Sequence, residues 1–260
     1  MLIDIHVHSN NSENVPFSIE QLIARAKQDG LDGICLTDTH TIEGLAEAKR
    51  LGAEADLLVL LGFEAVTDCG HFLVFLPEPE GLEDISSLIK LDDQGRASYK
   101  LLADQVTQRS GVIIAAHPYD RSIEESPGDS LVQLKGVSAV EVLNASRTSL
   151  ANELAEEVAA GSGLPGVGGS DARKDLDLLG KVATLFGKQL KCEADLIACI
   201  KSFDVWPVSL GKPAIGISPR RRDSGDRTAG RGRPPRRQND RRSSRRSSRP
   251  PRRGSKKSDR

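Results

Sequence analysis

Leu2-Ile-Asp-Ile-His-Val-His8 is the most informative segment of the sequence. Every second residue from Ile3 to Val7 is apolar, which predicts a β-strand with one apolar side. His6 and His8 are two positions apart, and successive side chains of a strand point to opposite faces, so both histidines project from the same side. The segment therefore predicts a strand that presents two imidazoles together near its carboxyl end.

Short apolar runs of this kind alternate with amphipathic segments along the first 210 residues. The predicted strands are Leu2–His8, Gly33–Thr37, Leu57–Leu61, His71–Leu76, Val112–Ala116, Val137–Leu143, Pro165–Gly168 and Val182–Phe186. The predicted helices cover about 18–28, 42–50, 96–109, 150–160 and 193–201, the first opened by a capping box at Ser18 and Gln21. Such alternation is typical of βα units and of a mostly parallel sheet buried on both faces. The expected fold class is α/β, a distorted TIM-like barrel of seven βα units.

The net charge divides the chain into two parts. The 260 residues carry a formal net charge of −1, but residues 219–260 hold 18 Lys and Arg and 4 Asp, whereas residues 1–218 hold 18 basic and 33 acidic residues. The basic segment has no Leu, Ile, Val, Met or aromatic residue, so it cannot offset its ordering entropy by burying apolar surface. The predicted organisation is a domain over 1–210, a linker over 211–218 and a disordered basic tail over 219–260.

Several classes of protein are excluded. No run of about 18 apolar residues is present, so neither a transmembrane helix nor a membrane partner is expected. The first ten residues lack the basic and long apolar regions of a signal peptide. Four dispersed cysteines without CxxC spacing argue against a disulfide framework or a zinc ribbon. The cytoplasm is therefore the expected compartment.

All the histidines of the chain lie at or near predicted strand ends. They are His6, His8, His40, His71 and His117. Three carboxylates share this placement: Asp38, Glu64 and Asp171. Any one of these histidines is as readily a packing or capping residue, but the carboxyl ends of barrel strands converge on one mouth, so the joint placement favours a site. Mixed His and carboxylate ligands suit Zn, Mn or Fe, whereas an all-oxygen set suits Mg or Ca.

A set of short motifs carries a family resemblance. They are Asp4-Ile-His-Val-His8-Ser9, Leu36-Thr-Asp38, Thr41-Ile-Glu-Gly-Leu45, Gly62-Phe-Glu64 with Gly70-His71, Ala116-His117-Pro118, Val140-Glu-Val-Leu-Asn144 and Gly169-Ser-Asp171-Ala172. In order and spacing, residues 1–206 resemble the PHP (polymerase and histidinol phosphatase) domain family, especially its stand-alone metal-dependent phosphoesterases. The resemblance implies two or three divalent ions, Mn, Zn or Fe, at the strand ends. The implied metal ligands are His6, His8, Glu64, His71, His117 and Asp171, with Glu13 where the family often has an Asp.

The sequence departs from the family pattern at two positions. Thr39 stands where the family usually has a histidine, and His40 follows one residue later, close enough in the loop to be kept as a candidate ligand. Arg173 replaces the last histidine of the final motif. A guanidinium stays protonated and cannot bind a metal ion, so at least one metal position should be weakened or absent. Arg173 could instead contact a substrate phosphate in bidentate fashion.

The implied activity is hydrolysis of phosphate monoesters, nucleotide-like or small phosphorylated metabolites, by metal-activated hydroxide. His117 or His40 would act as a ligand or as a proton donor to the leaving group. Asp38 is expected to orient a ligand histidine rather than to bind metal itself. Arg121 and Arg147 are candidate phosphate-binding residues, with ordinary surface arginines as the equal alternative.

A partly degraded PHP fold that acts as an RNA-binding or scaffold protein is the alternative function. Thr39 and Arg173 favour it, and the six retained ligand positions argue against it. A tail rich in Arg and Ser but without aromatic residues would bind RNA or DNA through the phosphate backbone, without sequence preference and with steep salt dependence. The tail could equally be a solvated appendage or contact the acidic domain.

Overall fold

A computed structural model of the chain describes residues 1–79 and 85–211. The predicted disordered tail over 219–260 lies outside the described residues, as does all of the predicted linker except its first residue.

The described part of the chain contains ten strands and five α-helices. The strands are β1 (Leu2–Val7), β2 (Gly33–Leu36), β3 (Leu58–Leu61), β4 (Phe63–Thr67), β5 (Gly70–Phe75), β6 (Val112–Ala115), β7 (Val137–Asn144), β8 (Gly166–Gly169), β9 (Val182–Phe186) and β10 (Val205–Ser209). The helices are α1 (Ile19–Gln28), α2 (Leu45–Ala55), α3 (Tyr99–Gln108), α4 (Ser149–Ser162) and α5 (Glu193–Lys201). Every predicted strand and helix is present, with some ends shifted by a few residues, whereas β4 and β10 were not predicted. Among the described helices, none combines the length and the apolar character that crossing a membrane requires.

The capping box expected at the start of α1 is confirmed. The Ser18 hydroxyl accepts the Gln21 backbone N–H at 3.4 Å, and the Gln21 side chain accepts the Ser18 backbone N–H at 2.9 Å. This reciprocal pair satisfies two of the backbone donors that a helix leaves free at its first turn. The helix then buries Leu22 and Ala26, one turn apart on the same face.

The strands form two five-stranded sheets, with the orders β10-β9-β1-β2-β3 and β4-β5-β6-β7-β8. The closed barrel of parallel strands expected from the sequence is not found among the described residues. Half of the strand pairs are antiparallel, namely β1–β9, β9–β10, β4–β5 and β5–β6. The chain reverses direction at the tight turn between Thr67 and Gly70, which converts the expected βα unit into a hairpin. Only Gly62 separates β3 from β4, and a Cβ there would lie 2.6 Å from the Val74 carbonyl oxygen, so the crossing requires glycine.

The two sheets are linked at the ends that carry the polar motifs. Parallel bridges join Val7 to Ala172 and Thr39 to Glu64, each connecting one sheet to the other. Below these bridges, buried side chains of both sheets form one apolar core that includes Ile5. The ends of β1, β2, β6 and β8 and the start of the β4–β5 hairpin therefore meet on one side of that core.

Candidate metal centre

A buried cluster of histidines and carboxylates lies where the strand ends meet. Three groups of side chains have ligand atoms close enough together to hold a metal ion. The groups are His6, His8 and Asp171; His6, His117 and Glu141; and Glu64, His71 and His117. His6, His8 and Glu64 are fully buried, and Asp171 is 2% exposed.

Hydrogen bonds fix the tautomers of the two histidines on β1. Nδ1 of His6 lies 2.9 Å from the Glu141 carboxylate, which can only accept, so this nitrogen carries the proton. Nδ1 of His8 lies 3.2 Å from the Ser12 hydroxyl, which donates to Asp38 at 2.6 Å and therefore accepts from the histidine. In the neutral rings both Nε2 atoms are then unprotonated lone pairs.

These two Nε2 atoms fit a metal ion. They lie 3.0 Å apart, and two lone pairs at that distance repel unless a proton or a metal ion lies between them. Nitrogen ligands at about 2.1 Å from one ion are separated by about 3.0 to 3.4 Å, which matches. Asp171 Oδ1 lies 3.6 Å from both Nε2 atoms, on the side of the rings that would face a metal ion. The Nδ1–H groups on the other side donate to acceptors, as metal-bound histidines typically do. The donor set of His6, His8 and Asp171 therefore suits a divalent transition metal.

Glu64 connects this group with a second one. Its Oε1 lies 3.0 Å from Nδ1 of His71 and 3.4 Å from Nε2 of His117. The same carboxylate lies 3.8 Å from Nε2 of both His6 and His8. A carboxylate shared by two groups of histidines is suited to bridge two metal ions.

The backbone at the centre is held in an uncommon conformation. His117 has a φ of 29° and Asp171 a φ of 49°, although neither is glycine. Positive φ angles at such residues cost on the order of 1 to 3 kcal/mol and occur preferentially at functional sites.

The electrostatics of the cluster favour bound cations. Burial opposes ionisation of Glu64, but the Arg173 guanidinium and hydrogen bonds from His117 hold the pKa of this carboxyl well below its usual range. Burial likewise opposes ionisation of Asp171, yet His6 and the neighbouring histidines keep its pKa low. Burial lowers the pKa of His6, but Glu141 and Asp171 outweigh this and raise it to about 9. The centre therefore keeps its carboxylates charged and attracts positive charge.

Two arginines contact the cluster. Nε of Arg173 donates to Asp171 at 3.0 Å, and its Nη2 donates to Thr39 at 3.1 Å and also to Glu64. Nη2 of Arg147 donates to the other oxygen of Asp171 at 2.9 Å, and its Nε lies 2.9 Å from Asp120. Two of the three predicted phosphate-binding arginines, Arg173 and Arg147, thus lie at the centre.

A cavity of about 520 Å³ adjoins the centre. Ser146 and Arg147 line it and also hydrogen-bond to Asp171, which places the cavity beside the cluster. Arg121 and Tyr119 add polar groups, and its apolar part comes from Leu150, Ala151 and Leu154 of α4. The cavity can therefore accept a molecule that is partly apolar and partly anionic.

Two models of known protein families match the chain. The model of the PHP domain matches residues 4–158, more than half of the chain, and that of the PHP-associated region matches residues 149–204. The chain belongs to the PHP domain family. An uncharacterized protein of Methanocaldococcus jannaschii is 31% identical over 169 residues, which are 60% of this chain and 89% of that protein. The resemblance read from the sequence motifs is confirmed.

Solved structures with the fold of this PHP domain have low sequence identity to it. A two-domain protein of Bacteroides vulgatus, described as containing a PHP-like metal-dependent phosphoesterase, has a TM-score of 0.64 and 17% identity. That match covers 81% of this chain and only 65% of the two-domain protein. A protein of Bifidobacterium adolescentis, described as a metal-dependent phosphoesterase, has a TM-score of 0.54 and 19% identity over 76% of this chain and 95% of its own. An amidohydrolase of Chromobacterium violaceum, solved with sulfate, has a TM-score of 0.56 and 16% identity over 80% of this chain and 98% of its own.

The PHP domain brings six of the eight expected metal ligands together. Glu13 and His40 are the exceptions. Glu13 is exposed, and no contact among the described residues joins it to the cluster. Nε2 of His40 accepts the Val66 backbone N–H at 2.7 Å, and the His40 backbone N–H donates to the Glu64 carbonyl oxygen at 2.9 Å, so the ring lies along β4. The proximity that made His40 a candidate in the sequence does not bring its ring into any of the three ligand groups.

Asp38 lies outside the three ligand groups, one hydrogen-bonded residue away from His8. It is buried and accepts hydrogen bonds from the Ser9 backbone N–H at 2.6 Å, the Ser9 hydroxyl at 2.5 Å and the Ser12 hydroxyl. Its link to a ligand histidine runs through Ser12 to His8. Arg121, by contrast, is exposed at the cavity and, within the described residues, has no contact with the cluster.

Two residues at the centre were missed in the sequence. Glu141 is fully buried in β7 and hydrogen-bonds to His6, to the His117 backbone N–H and to Asn144. The signal was a carboxylate inside the apolar strand Val140-Glu-Val142, since a buried charge requires partners. Ser12, which connects Asp38 to His8, had no such signal, because a serine in a polar loop is ordinary.

Proposed function

We propose that the PHP domain of this chain is a metal-dependent phosphoesterase that hydrolyses phosphate monoesters. The observation that carries the proposal is the buried pair of ligand groups that share Glu64, with two arginines beside them. Metal ligands and guanidinium groups around one small volume are what the hydrolysis of a phosphate ester requires.

The residues that would hold the metal ions are His6, His8 and Asp171 on one side of Glu64, and His71 and His117 on the other. At these residues, divalent ions would supply a water molecule of lowered pKa and would neutralise the oxygens of the phosphoryl group. Glu141 and Ser12 keep the β1 histidines in the tautomer that presents Nε2 to the centre.

The arginines orient the phosphate. Arg147 is anchored by Asp120 and Asp171, so its guanidinium is held at the border between the centre and the cavity. Arg173 uses Nε and Nη2 for its contacts, and Nη1 makes no hydrogen bond to the described residues. A planar guanidinium with free N–H groups can donate to a phosphoryl oxygen while it stays bound to the protein.

The cavity beside Arg147 would accept the leaving group. Its volume of about 520 Å³ and its mixture of arginine, tyrosine, serine and leucine side chains suit a nucleotide-like or small phosphorylated metabolite. His117, a member of the second ligand group, is also the candidate proton donor to the leaving group.

A second activity is proposed for residues 219–260. Their 18 Lys and Arg residues, without an aromatic residue, favour binding to the phosphate backbone of RNA or DNA. In the alternative function, this binding alone is the activity and the centre is inactive. Hydrolysis by the PHP domain distinguishes the two.

The experiment uses the full-length protein with Mn²⁺ or Zn²⁺ and two substrates, p-nitrophenyl phosphate and adenosine 3′,5′-bisphosphate. We expect hydrolysis that a chelator abolishes. Asp171→Asn should lower kcat/KM by about 100-fold or more, since even outer partners of metal ligands typically change activity by 10–100-fold. Asp104→Asn, an exposed carboxylate on α3, is the matched control. Absence of hydrolysis and of bound metal in the wild-type protein would contradict the proposal.

A further inference from the structure

The two positions at which the sequence departs from the PHP pattern contact each other. Nη2 of Arg173 donates to the Thr39 hydroxyl at 3.1 Å, although 134 residues separate them in the chain. The Thr39 hydroxyl in turn donates to Glu64 Oε2 at 3.1 Å. A threonine and an arginine in place of two histidines therefore form one hydrogen-bonded unit at the edge of the cluster.

Arg173 neutralises both carboxylates on which the metal centre depends. Its Nε donates to Asp171 Oδ1 at 3.0 Å, and its Nη2 donates to Glu64 Oε2. The side chain is 29% exposed, whereas the Asp171 and Glu64 side chains are almost fully buried. The guanidinium thus supplies a fixed positive charge on the solvent side of the cluster.

Within the described residues, no further metal ligand is left open beside Thr39 and Arg173. His40, the histidine nearest to Thr39 in sequence, has its Nε2 occupied by the Val66 backbone N–H. Glu13 is exposed and has no contact with the cluster. The group of His6, His117 and Glu141 shares one histidine with each of the other two groups. The ligands therefore divide between one position on the His6 side of Glu64 and one on the His71 side.

We propose that Arg173, held in place by Thr39, replaces a metal ion, so that this PHP domain binds two divalent ions and uses the guanidinium as its third cationic group. The proposal rests on the proposed function only in requiring that the centre binds metal. The replacement gives one positive charge in place of two. It also gives a group that cannot dissociate, because a guanidinium remains protonated and is covalently part of the chain.

The test is a count of bound metal, made on three full-length proteins. These are the wild type, the Thr39→His/Arg173→His double variant and Arg50→His, which puts a histidine on the exposed face of α2 as a control. Each protein is stripped with a chelator and titrated with Mn²⁺ by calorimetry, and its metal content is measured by plasma mass spectrometry. We expect two ions per chain in the wild type and the control, and three in the double variant.

Three other outcomes would contradict the proposal. Three ions in the wild type would overturn the replacement and leave the proposed function intact. An unchanged count of bound ions in a folded double variant would also overturn the replacement and leave the proposed function intact. If the double variant fails to fold, the count for the wild type alone tests the replacement. A wild type that binds no ion would refute the replacement together with the proposed function.

Discussion

The carboxylate of Glu141 lies 2.9 Å from Nδ1 of His6, and both side chains are fully buried. The other oxygen of Glu141 accepts the His117 backbone N–H at 2.9 Å and the Asn144 amide at 2.9 Å. One carboxylate therefore sets the tautomer of a histidine in one ligand group and the backbone of a histidine in another. Glu141 acts on the centre through its neighbours and is a positioning residue.

Replacing Glu141 by Gln should weaken metal binding by about 10- to 100-fold. The single amide oxygen of glutamine can serve His117 and Asn144, which leaves the NH₂ group facing Nδ1 of His6. Nδ1 would then be the acceptor and Nε2 would carry the proton, so the ring could not bind a metal ion. Calorimetric titration with Mn²⁺ measures the effect, and Glu153→Gln on the exposed face of α4 is the control. Equal affinities of the two variants would show that Glu141 does not set the tautomer.

Removing the Ser12 hydroxyl tests the equivalent link to His8. In Ser12→Ala, the Nδ1 proton of His8 loses its acceptor, while Asp38 keeps its hydrogen bonds from Ser9. A buried donor left without a partner costs about 1 to 3 kcal/mol. We therefore expect the metal affinity to fall by about tenfold and the free energy of unfolding to fall by about 1 to 3 kcal/mol. Metal titration and urea unfolding measure the two effects. A variant with lower stability but unchanged affinity would restrict Ser12 to a structural role.

The sequence was sufficient to predict most of the centre because strand geometry alone places its residues. His6 and His8 share one side of β1 by the alternation of a strand, and Asp171 follows β8 at the same end of the structure. Parallel strands that begin on the same side bring their carboxyl ends together, so residues far apart in sequence become neighbours.

What the sequence did not predict depends on local backbone conformation. A hairpin at Thr67 to Gly70 replaces an expected βα unit, and its tight turn has no signal that outweighs the neighbouring βα pattern. His40 was expected at the cluster from its position alone, but its φ of 54° and its bond to Val66 direct the ring along β4. A one-residue displacement in a loop changes the direction of a side chain in a way that spacing does not record.

Arg121 provides a test of the cavity as the binding site of the leaving group. It is exposed, lines the cavity and forms no ion pair with another described residue, so Arg121→Gln should leave folding unchanged. For adenosine 3′,5′-bisphosphate we expect KM to rise by about tenfold with kcat retained, because a charged hydrogen bond contributes about 1.5 to 3 kcal/mol. The KM for p-nitrophenyl phosphate, which has no second phosphate, should change little. Arg50→Gln, on the exposed face of α2, is the control, and an unchanged KM for both substrates would place the leaving group elsewhere.

Asp4 should give the folded protein a characteristic pH dependence. Burial raises the pKa of this fully buried carboxyl to about 6, even though it accepts backbone N–H groups such as that of Ser170 at 2.9 Å. Because the folded state binds the proton more tightly than the unfolded state, the contribution to stability is complete below the ordinary pKa of 3.8 and is lost as the pH rises through about 6.

From the size of the pKa shift, the contribution of Asp4 to the free energy of unfolding should fall by about 2 kcal/mol between about pH 4.5 and pH 7.5. Urea unfolding of metal-free wild type and Asp4→Asn at both pH values measures it. The stability of the wild type relative to the variant should fall by that amount as the pH rises, whereas Asp104→Asn should show no such trend. A constant difference across the range would mean that Asp4 titrates near its ordinary pKa.

The basic segment should act on nucleic acid independently of the metal centre. Residues 219–260 carry 18 Lys and Arg but no aromatic side chain, so binding to single-stranded RNA would release counterions without stacking on bases. The logarithm of the binding constant should fall linearly with the logarithm of the salt concentration, with a slope of about −0.7 per phosphate contacted. Poly(A) and poly(U) should bind equally well. A chain that ends at residue 218 should lose this binding and retain hydrolysis of p-nitrophenyl phosphate. If the shortened chain binds RNA as tightly as the full-length protein, the binding surface belongs to the PHP domain instead, and the charge of the segment serves another purpose.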